Sequence, residues 1–183
     1  MLRASELLQE FWDVNKKPLP RTVQSADLRW KPPDLGFFKV NFDGALFLDQ
    51  RCAGLGVVIR DLAGLVIAAL SEKVRLPGSV DVVGALAARR AISFAKELSL
   101  HHLVVEGDLL RVIQAITDTR PVKTLYGHVI DEIRILSSLV NCSFLHVNRK
   151  GNKLAHALAR RAILSADFDV WIEYLPRDLD DVF

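Results

Sequence analysis

The sequence predicts an α/β fold built on a mixed β-sheet. Three short strand patterns follow one another between residues 37 and 72, and a turn at residues 61–64 separates the second from the third. These three strands are expected to form an antiparallel meander. A helical pattern then leads into a fourth apolar strand, and a strand, helix, strand order implies a parallel pair joined by a right-handed crossover.

The first 36 residues precede the predicted domain. Residues 1–15 are interpreted as an amphipathic helix, because their large apolar side chains share one helical face. These side chains are Leu7, Leu8, Phe11 and Trp12. Residues 16–36 are interpreted as a linker, since four prolines remove backbone donors and oppose helix there. The N-terminal helix is a potential contact for a protein partner.

Five strands and four helices are predicted between residues 37 and 166, in the order β-β-β-α-β-α-α-β-α. The strands cover residues 37–42, 53–60, 65–72, 103–107 and 143–147, and the helices cover residues 82–98, 109–116, 125–140 and 153–165. Residues 167–183 are interpreted as an acidic C-terminal tail. Its apolar residues, Trp171, Ile172, Tyr174 and Leu175, are expected to pack back on the domain.

The composition favours one globular intracellular domain. The chain has 183 residues, half of them hydrophobic, which is enough to bury a core, and its net charge of +2 says little about partners. Two cysteines cannot build a disulfide framework, which favours a reducing compartment. No apolar run is long enough for a membrane span, and acidic residues near the N-terminus argue against a signal peptide. We expect a nuclear or cytoplasmic protein without membrane contact.

Two of the predicted strands each deliver an aspartate to their end. Asp43 follows FFKVNF, and Asp108 follows LVVEG. Two carboxylates at neighbouring strand ends would make a site for a hard divalent cation such as Mg²⁺. A single aspartate in such a place is more often a turn or cap residue, so the surrounding motifs decide between the two interpretations.

Four motifs occur in order along the chain. They are WKPPDLGFFKVNFDGA (residues 30–45), GLGVVIRDLAG (54–64), VVEGD (104–108) and HVNRKGNKLAHALA (146–159). Together they resemble the ribonuclease H (RNase H) type 1 family, specifically the plant RNase H-like domains related to reverse transcriptases of non-LTR retroelements. The resemblance covers about residues 30–166. It implies an RNase H-like fold, a five-stranded mixed sheet flanked by helices, in agreement with the predicted order of elements.

The resemblance also implies an activity, hydrolysis of the RNA strand of an RNA/DNA hybrid with two Mg²⁺ (or Mn²⁺) ions held by four acidic residues. Asp43 matches the first carboxylate and Asp108 the third. The second is a glutamate at the start of the first helix, where this chain has Gly84. The fourth is usually an aspartate, where this chain has His156. An imidazole can bind a metal, although Mg²⁺ prefers oxygen ligands.

Two of the four implied carboxylates are therefore missing, and the negative charge available to hold two cations is about halved. Asp81, one turn before Gly84, and Glu106, on the same strand face as Asp108, are potential substitutes. A glutamate in the position of Glu106 is more often a hydrogen-bonded neighbour, which is the interpretation we favour. For His156, a role in the site and a structural role in a partly buried helix are equally favoured.

Basic residues follow the last predicted strand. Between residues 147 and 166 there are five lysines and arginines and no acidic residue. Arg149 and Lys150, in the predicted loop, are candidates for contact with nucleic-acid phosphates, although such runs are usually solvated helix faces. The backbone at Gly44 is a place where a ribose could approach closely. Selectivity for hybrids would then depend on duplex shape and on 2′-hydroxyl contacts.

The predicted function is that of an RNase H type 1-like domain that binds RNA/DNA hybrid or double-stranded RNA, with its hydrolysis of the RNA strand weak or lost. The alternative is a catalytically inactive binding or interaction module that keeps the fold alone. A third interpretation is a decaying retroelement fragment without a cellular role.

Overall fold

The computed structural model describes residues 30–120 and 123–182, and the predicted helix over residues 1–15 lies outside them. Within the described residues the chain forms six strands and four α-helices. The strands are β1 (Phe38–Phe47), β2 (Cys52–Arg60), β3 (Val66–Arg75), β4 (His102–Gly107), β5 (Asn141–His146) and β6 (Phe168–Ile172), and the helices are α1 (Val80–Glu97), α2 (Leu110–Thr117), α3 (Gly127–Ser138) and α4 (Lys153–Arg161). The predicted α/β class is confirmed.

The strands form one mixed sheet in the order β5-β4-β1-β2-β3-β6. Strands β1, β2 and β3 are the predicted antiparallel meander, and β4 and β5 continue the sheet in parallel on the other side of β1. Strand β4 runs parallel to β3, as the crossover implied, but it pairs with β1 instead of β3. Helix α1 packs across β1 and β2. The connection from β3 to β4 therefore passes over these two strands, and β4 pairs with β1 on the side away from β2.

The sheet has one strand more than the sequence analysis predicted. Strand β6 pairs antiparallel with β3 and lies beyond residue 166, in the segment interpreted as an acidic tail. Its signal is a run of β-forming apolar residues, Phe168, Val170, Trp171 and Ile172, which the acidic composition of the tail obscured. Trp171 and Leu175 pack back on a core cluster, as expected, whereas Ile172 and Tyr174 remain exposed.

Helix α4 lies close against the sheet on the face opposite α1. A Cβ atom built at Gly54 would lie 1.9 Å from the carbonyl oxygen of Ala159, and one at Gly56 would lie 2.2 Å from that of Ala155. Glycine is therefore required at both positions of β2, because any side chain would push the helix away. This close approach brings the first turn of α4 over the centre of the sheet.

A buried polar network connects β1 with β4 on the same face. Lys39 Nζ lies 2.7 Å from Glu106 Oε1, and Asn41 Nδ2 donates to Glu106 Oε2 at 3.1 Å. Asn41 and Glu106 are paired residues on neighbouring strands, and all three side chains are buried. The network therefore satisfies the buried charges across one defined register of the two strands.

Trp30 and Arg60 complete this network. Both donate to Asn41 Oδ1, Arg60 from Nη2 at 2.9 Å and Trp30 from Nε1 at 3.1 Å. The Trp30 ring covers the Arg60 guanidinium, with 3.9 Å between the ring centroid and Cζ. Burial lowers the pKa of Arg60 to about 10, which the charge of Glu106 partly opposes. The end of the predicted linker is thus anchored on the sheet.

None of the helices in the described residues is long and apolar enough to cross a membrane.

We expect Glu106→Gln to destabilise the domain by about 3 kcal/mol, because the substitution leaves the Lys39 ammonium buried without its counter-charge. Chemical denaturation gives the free energy of unfolding. Glu97→Gln is the matched control, since Glu97 pairs with Arg90 but its side chain is 55% exposed. Its expected cost is below about 1 kcal/mol. Equal costs for the two substitutions would contradict a structural role for the buried pair.

Candidate active site and nucleic-acid interface

Asp43 and Asp108 lie where the pairing of β1 with β4 stops. The last paired residues are Phe42 and Gly107, so the two aspartates are the next residues on neighbouring parallel strands. Asp108 directly follows β4, as predicted. The prediction that Asp43 ends its strand is wrong, because β1 continues to Phe47 and its second half still pairs with β2.

A cavity of about 400 Å³ opens at this place. It is lined by Phe42, Asp43, Gly44, Val80, Val83, Gly84, Asp108, Leu109, His146, Asn148, Arg149 and His156. The structure therefore brings most of the candidate residues from the sequence together, whereas Lys150 lies exposed in the neighbouring 3₁₀ turn. Leu109 and Asn148 were not predicted to line the site. Their only signal in the sequence is that they lie next to Asp108 and Arg149.

The imidazole of His156 connects the two sides of the cavity. His156 Nδ1 lies 2.7 Å from Asp43 Oδ2, and Arg149 Nη2 lies 3.1 Å from His156 Nε2. Since a guanidinium can only donate, Nε2 must accept, and the proton of the neutral ring is on Nδ1. His156 thus donates to Asp43. The backbone N–H of Gly44 donates to the other oxygen, Oδ1, at 2.7 Å.

Burial, and after it the negative charge of Asp108, raise the pKa of Asp43 from 3.8 to about 6. The hydrogen bonds from His156 and from the Gly44 N–H act in the opposite direction. Because the folded-state pKa is higher than the unfolded value, ionisation of Asp43 disfavours the folded state. The protonated carboxyl of Asp43 therefore stabilises the folded state fully below about pH 4, and this stabilisation is lost as the pH rises to about 6 and above.

Leu109 occupies the space in front of Gly84. A Cβ atom built at Gly84 would lie 2.7 Å from Leu109 Cδ2 and 3.3 Å from Val112 Cγ2. Gly84 lines the same cavity as Asp43 and Asp108, which agrees with its match to the second carboxylate of the family pattern. Gly84 supplies no carboxylate to the cavity, and an apolar side chain closes the space that a larger residue would need.

The two potential substitute carboxylates point to other partners. Glu106 is paired with Lys39 and Asn41, as its interpretation as a hydrogen-bonded neighbour predicted, and Asp81 lies 3.5 Å from the guanidinium of Arg111. Across residues 30–120 and 123–182, no three histidine, cysteine or acidic side chains are grouped so that they could hold a metal ion. The residues present do not fit a pair of divalent cations.

Glycine at position 44 is required by packing. A Cβ atom there would lie 2.2 Å from Val83 Cγ1, so a side chain would displace helix α1 from β1. The predicted ribose contact at Gly44 stays a prediction.

The basic residues after β5 divide into two groups. Arg149 lines the cavity, and Lys150 is exposed beside it. Arg160 lies over the ring of Phe47, and Arg161 forms an ion pair with Asp178. The loop residues are thus closer to the cavity than Arg160 and Arg161 are, and their contact with nucleic-acid phosphates stays a prediction.

The strand order, the crossing helices and the two aspartates side by side at the centre of the sheet define an RNase H-like domain. The family model described as reverse transcriptase-like matches residues 41–162, more than half of the chain, and the chain belongs to this family. A search of curated proteins gives no match. The closer assignment to plant relatives stays a prediction.

Solved structures support the same fold. RNase H1 from the halophilic archaeon Halobacterium salinarum NRC-1 is 22% identical with a TM-score of 0.65, over 71% of this chain and 99% of that chain. LC11-RNase H1, isolated from compost and solved in complex with an RNA/DNA hybrid, is 21% identical with a TM-score of 0.62, over 70% and 99%. A foamy viral protease-reverse transcriptase bound to RNA/DNA hybrid is 15% identical with a TM-score of 0.55, over 88% and 26%.

We expect the carboxyl carbon of Asp43 to titrate with a midpoint near pH 6 in an NMR experiment. Asp108→Asn should lower this midpoint, because it removes a neighbouring negative charge. His156→Ala should raise it, because it removes a hydrogen bond to the ionised form. A midpoint near pH 4 that neither substitution moves would contradict the described environment of Asp43.

Restoring the missing carboxylate is expected to need two substitutions. Gly84→Glu alone should destabilise the domain by about 1 to 3 kcal/mol through overpacking against Leu109. Gly84→Glu with Leu109→Ala should regain that stability and bind Mn²⁺, measured by isothermal titration calorimetry. Gly84→Gln with Leu109→Ala is the control, since it has the same size without the charge. Equal Mn²⁺ binding by the control or by the natural chain would refute the account.

Proposed function

We propose that this chain is an RNase H-like nucleic-acid-binding domain that takes RNA/DNA hybrid or double-stranded RNA and has its RNA-strand hydrolysis weak or lost. The observation that carries the proposal is the pair Gly84 and Leu109, which puts glycine and an apolar side chain where the family pattern has a carboxylate. In this proposal the chain keeps the fold and the cavity of the family, but it does not keep the carboxylate ligands for two cations.

Charge supports binding at the loop after β5. Arg149 lines the cavity, Lys150 is exposed beside it, and no acidic residue occurs between residues 147 and 166. Two carboxylates in the cavity repel phosphate, so cationic groups at its border must provide the attraction. Arg149 can leave His156 for a phosphate oxygen, because a guanidinium makes charge-assisted hydrogen bonds that are stronger than its bond to a neutral imidazole.

The ligand class is supported by the related structures. Two of the similar solved structures contain an RNA/DNA hybrid. A-form-like duplexes display 2′-hydroxyl groups in a wide, shallow minor groove, where proteins recognise them by shape and by 2′-hydroxyl and phosphate contacts. Hybrid and double-stranded RNA should therefore bind better than DNA duplex. A nuclear or cytoplasmic location is part of the same proposal.

A metal-dependent nuclease is the second candidate, and the neighbouring positions of Asp43 and Asp108 favour it. The charge of Asp108 contributes to the raised pKa of Asp43, as expected of two carboxylates close together. A divalent cation such as Mg²⁺ or Mn²⁺ would relieve that repulsion. Any residual cleavage should then require one of these cations and should disappear in Asp43→Asn.

Binding is tested by fluorescence anisotropy with labelled hybrid, double-stranded RNA and DNA duplex at several salt concentrations. We expect Arg149→Ala and Lys150→Ala each to weaken hybrid binding and to reduce the salt slope by about 1. Arg89→Ala is the matched control, because Glu132 already neutralises Arg89 on helix α1. Hybrid binding that does not depend on salt, or an equal loss of affinity in Arg89→Ala, would show that Arg149 and Lys150 do not contact phosphates.

Hydrolysis is tested with labelled hybrid in Mg²⁺ and in Mn²⁺. We expect the natural chain to cleave no faster than Asp43→Asn. Cation-dependent cleavage that Asp43→Asn abolishes would establish the nuclease instead. Absence of both cleavage and salt-sensitive binding would leave the fold without either function.

A further inference from the structure

Strand β6 is an edge of the sheet. In the part of the chain that the structure describes, β3 is its only paired neighbour, and its other side has no strand beside it. Edge strands present unpaired backbone groups, which proteins commonly blunt with short length or charge. Strand β6 is short, with five residues, but it has large apolar side chains next to its open edge.

The pairing with β3 shows which backbone groups face outward. Glu173 donates its N–H to the carbonyl oxygen of Ile67, and Lys73 donates its N–H to that of Asp167. In an antiparallel ladder such hydrogen-bonded pairs alternate with pairs that make no bonds to each other. The even-numbered residues between them, Phe168, Val170 and Ile172, therefore direct their N–H and C=O groups to the open edge. They supply three donors and three acceptors.

The same three residues form an exposed apolar strip. Phe168 is 60% exposed, Val170 38% and Ile172 47%, and Tyr174, just beyond the strand, is 62% exposed. On β3, the partners of Ile172 and Val170 are Ala68 and Leu70, which are fully buried, and the partner of Phe168 is the partly buried Glu72. The strip is thus a continuation of the core face past the area that helix α1 covers. Apolar surface of this kind marks interaction sites.

Acidic residues stand at both ends of the strip. Asp167 precedes the strand and Glu173 follows it, and both are exposed. This charge pattern disfavours a second copy of the chain. In an antiparallel pair of β6 strands that aligns the two strips, Asp167 of one copy would face Glu173 of the other at each end. An added strand with a basic residue at each end would instead place opposite charges next to each other at both ends of β6.

We propose that β6 is a docking edge for an extended partner segment, which adds as a seventh strand. The partner has apolar side chains at alternating positions and a lysine or arginine at each end. Its backbone pairs with Phe168, Val170 and Ile172, and its apolar side chains extend the strip. The edge lies away from the cavity, so this recognition is separate from nucleic-acid binding. Strand addition of this type gives affinity through main-chain hydrogen bonds and specificity through side chains.

The full chain is tested with three synthetic peptides. The first is KVTVTVK with blocked termini, the second has glutamate at both ends, and the third repeats the first with alternate backbone amides N-methylated. We expect the first peptide to bind at least about tenfold more tightly than the second, with its affinity falling as salt is raised. The N-methylated peptide should not bind, because it lacks the donors for the ladder.

Two variants connect the binding to β6. Val170→Pro removes a donor that faces outward and leaves the pairing with β3 intact, so it should abolish peptide binding without lowering the melting temperature. Val170→Thr, which keeps the backbone donor, is the control and should bind. Lys substitutions of both Asp167 and Glu173 should reverse the preference between the first two peptides.

The proposal fails if the lysine and glutamate peptides bind equally or neither binds. It also fails if the N-methylated peptide binds as well as its parent, or if sedimentation shows a dimer that Val170→Pro dissociates. The peptide comparison does not depend on whether Val170→Pro folds.

Discussion

The pairing of a buried carboxylate on β4 with two side chains of β1 determines the geometry of the candidate site. Glu106 contacts the ammonium of Lys39 and the amide of Asn41, and each of these groups would be costly to bury alone. A shift of one residue between the strands would separate all three. Asn41 lies two residues before Asp43, and Glu106 lies two residues before Asp108. The register that satisfies the network therefore places both aspartates side by side on the same sheet face.

Much of the fold could be predicted from local patterns, because the meander and the crossover depend on period and order alone. What the sequence could not provide was the pairing of distant segments. Asp43 was expected at a strand end, since the predicted strand covers residues 37–42, but β2 continues to pair with β1 for several residues more. Strand β6 was hidden because acidic residues dominate the tail in which its run of apolar residues lies. Leu109 belongs to none of the four motifs, and its place in the site depends on its contact with Gly84 of helix α1.

The two departures from the family pattern differ in kind. At Gly84 the carboxylate is absent and a neighbour fills the space, so the position contributes shape without charge. At His156 a polar group is kept, and it donates to Asp43 where a carboxylate would have repelled it. In this cavity, histidine and arginine hold one aspartate through a chain of hydrogen bonds. Under the proposed function, this arrangement keeps the shape of the cavity and lowers its affinity for cations.

The close contact of α4 with Gly54 and Gly56 has a further consequence for protein engineering. The position of residue 156 is determined by backbone packing of the helix on the sheet and does not depend on which side chain stands there. Different side chains can therefore be exchanged at this position while their distance from Asp43 stays nearly constant. The domain is a suitable scaffold for comparing aspartate, histidine, cysteine or glutamine at one fixed point, because differences in chemistry can be measured without differences in placement.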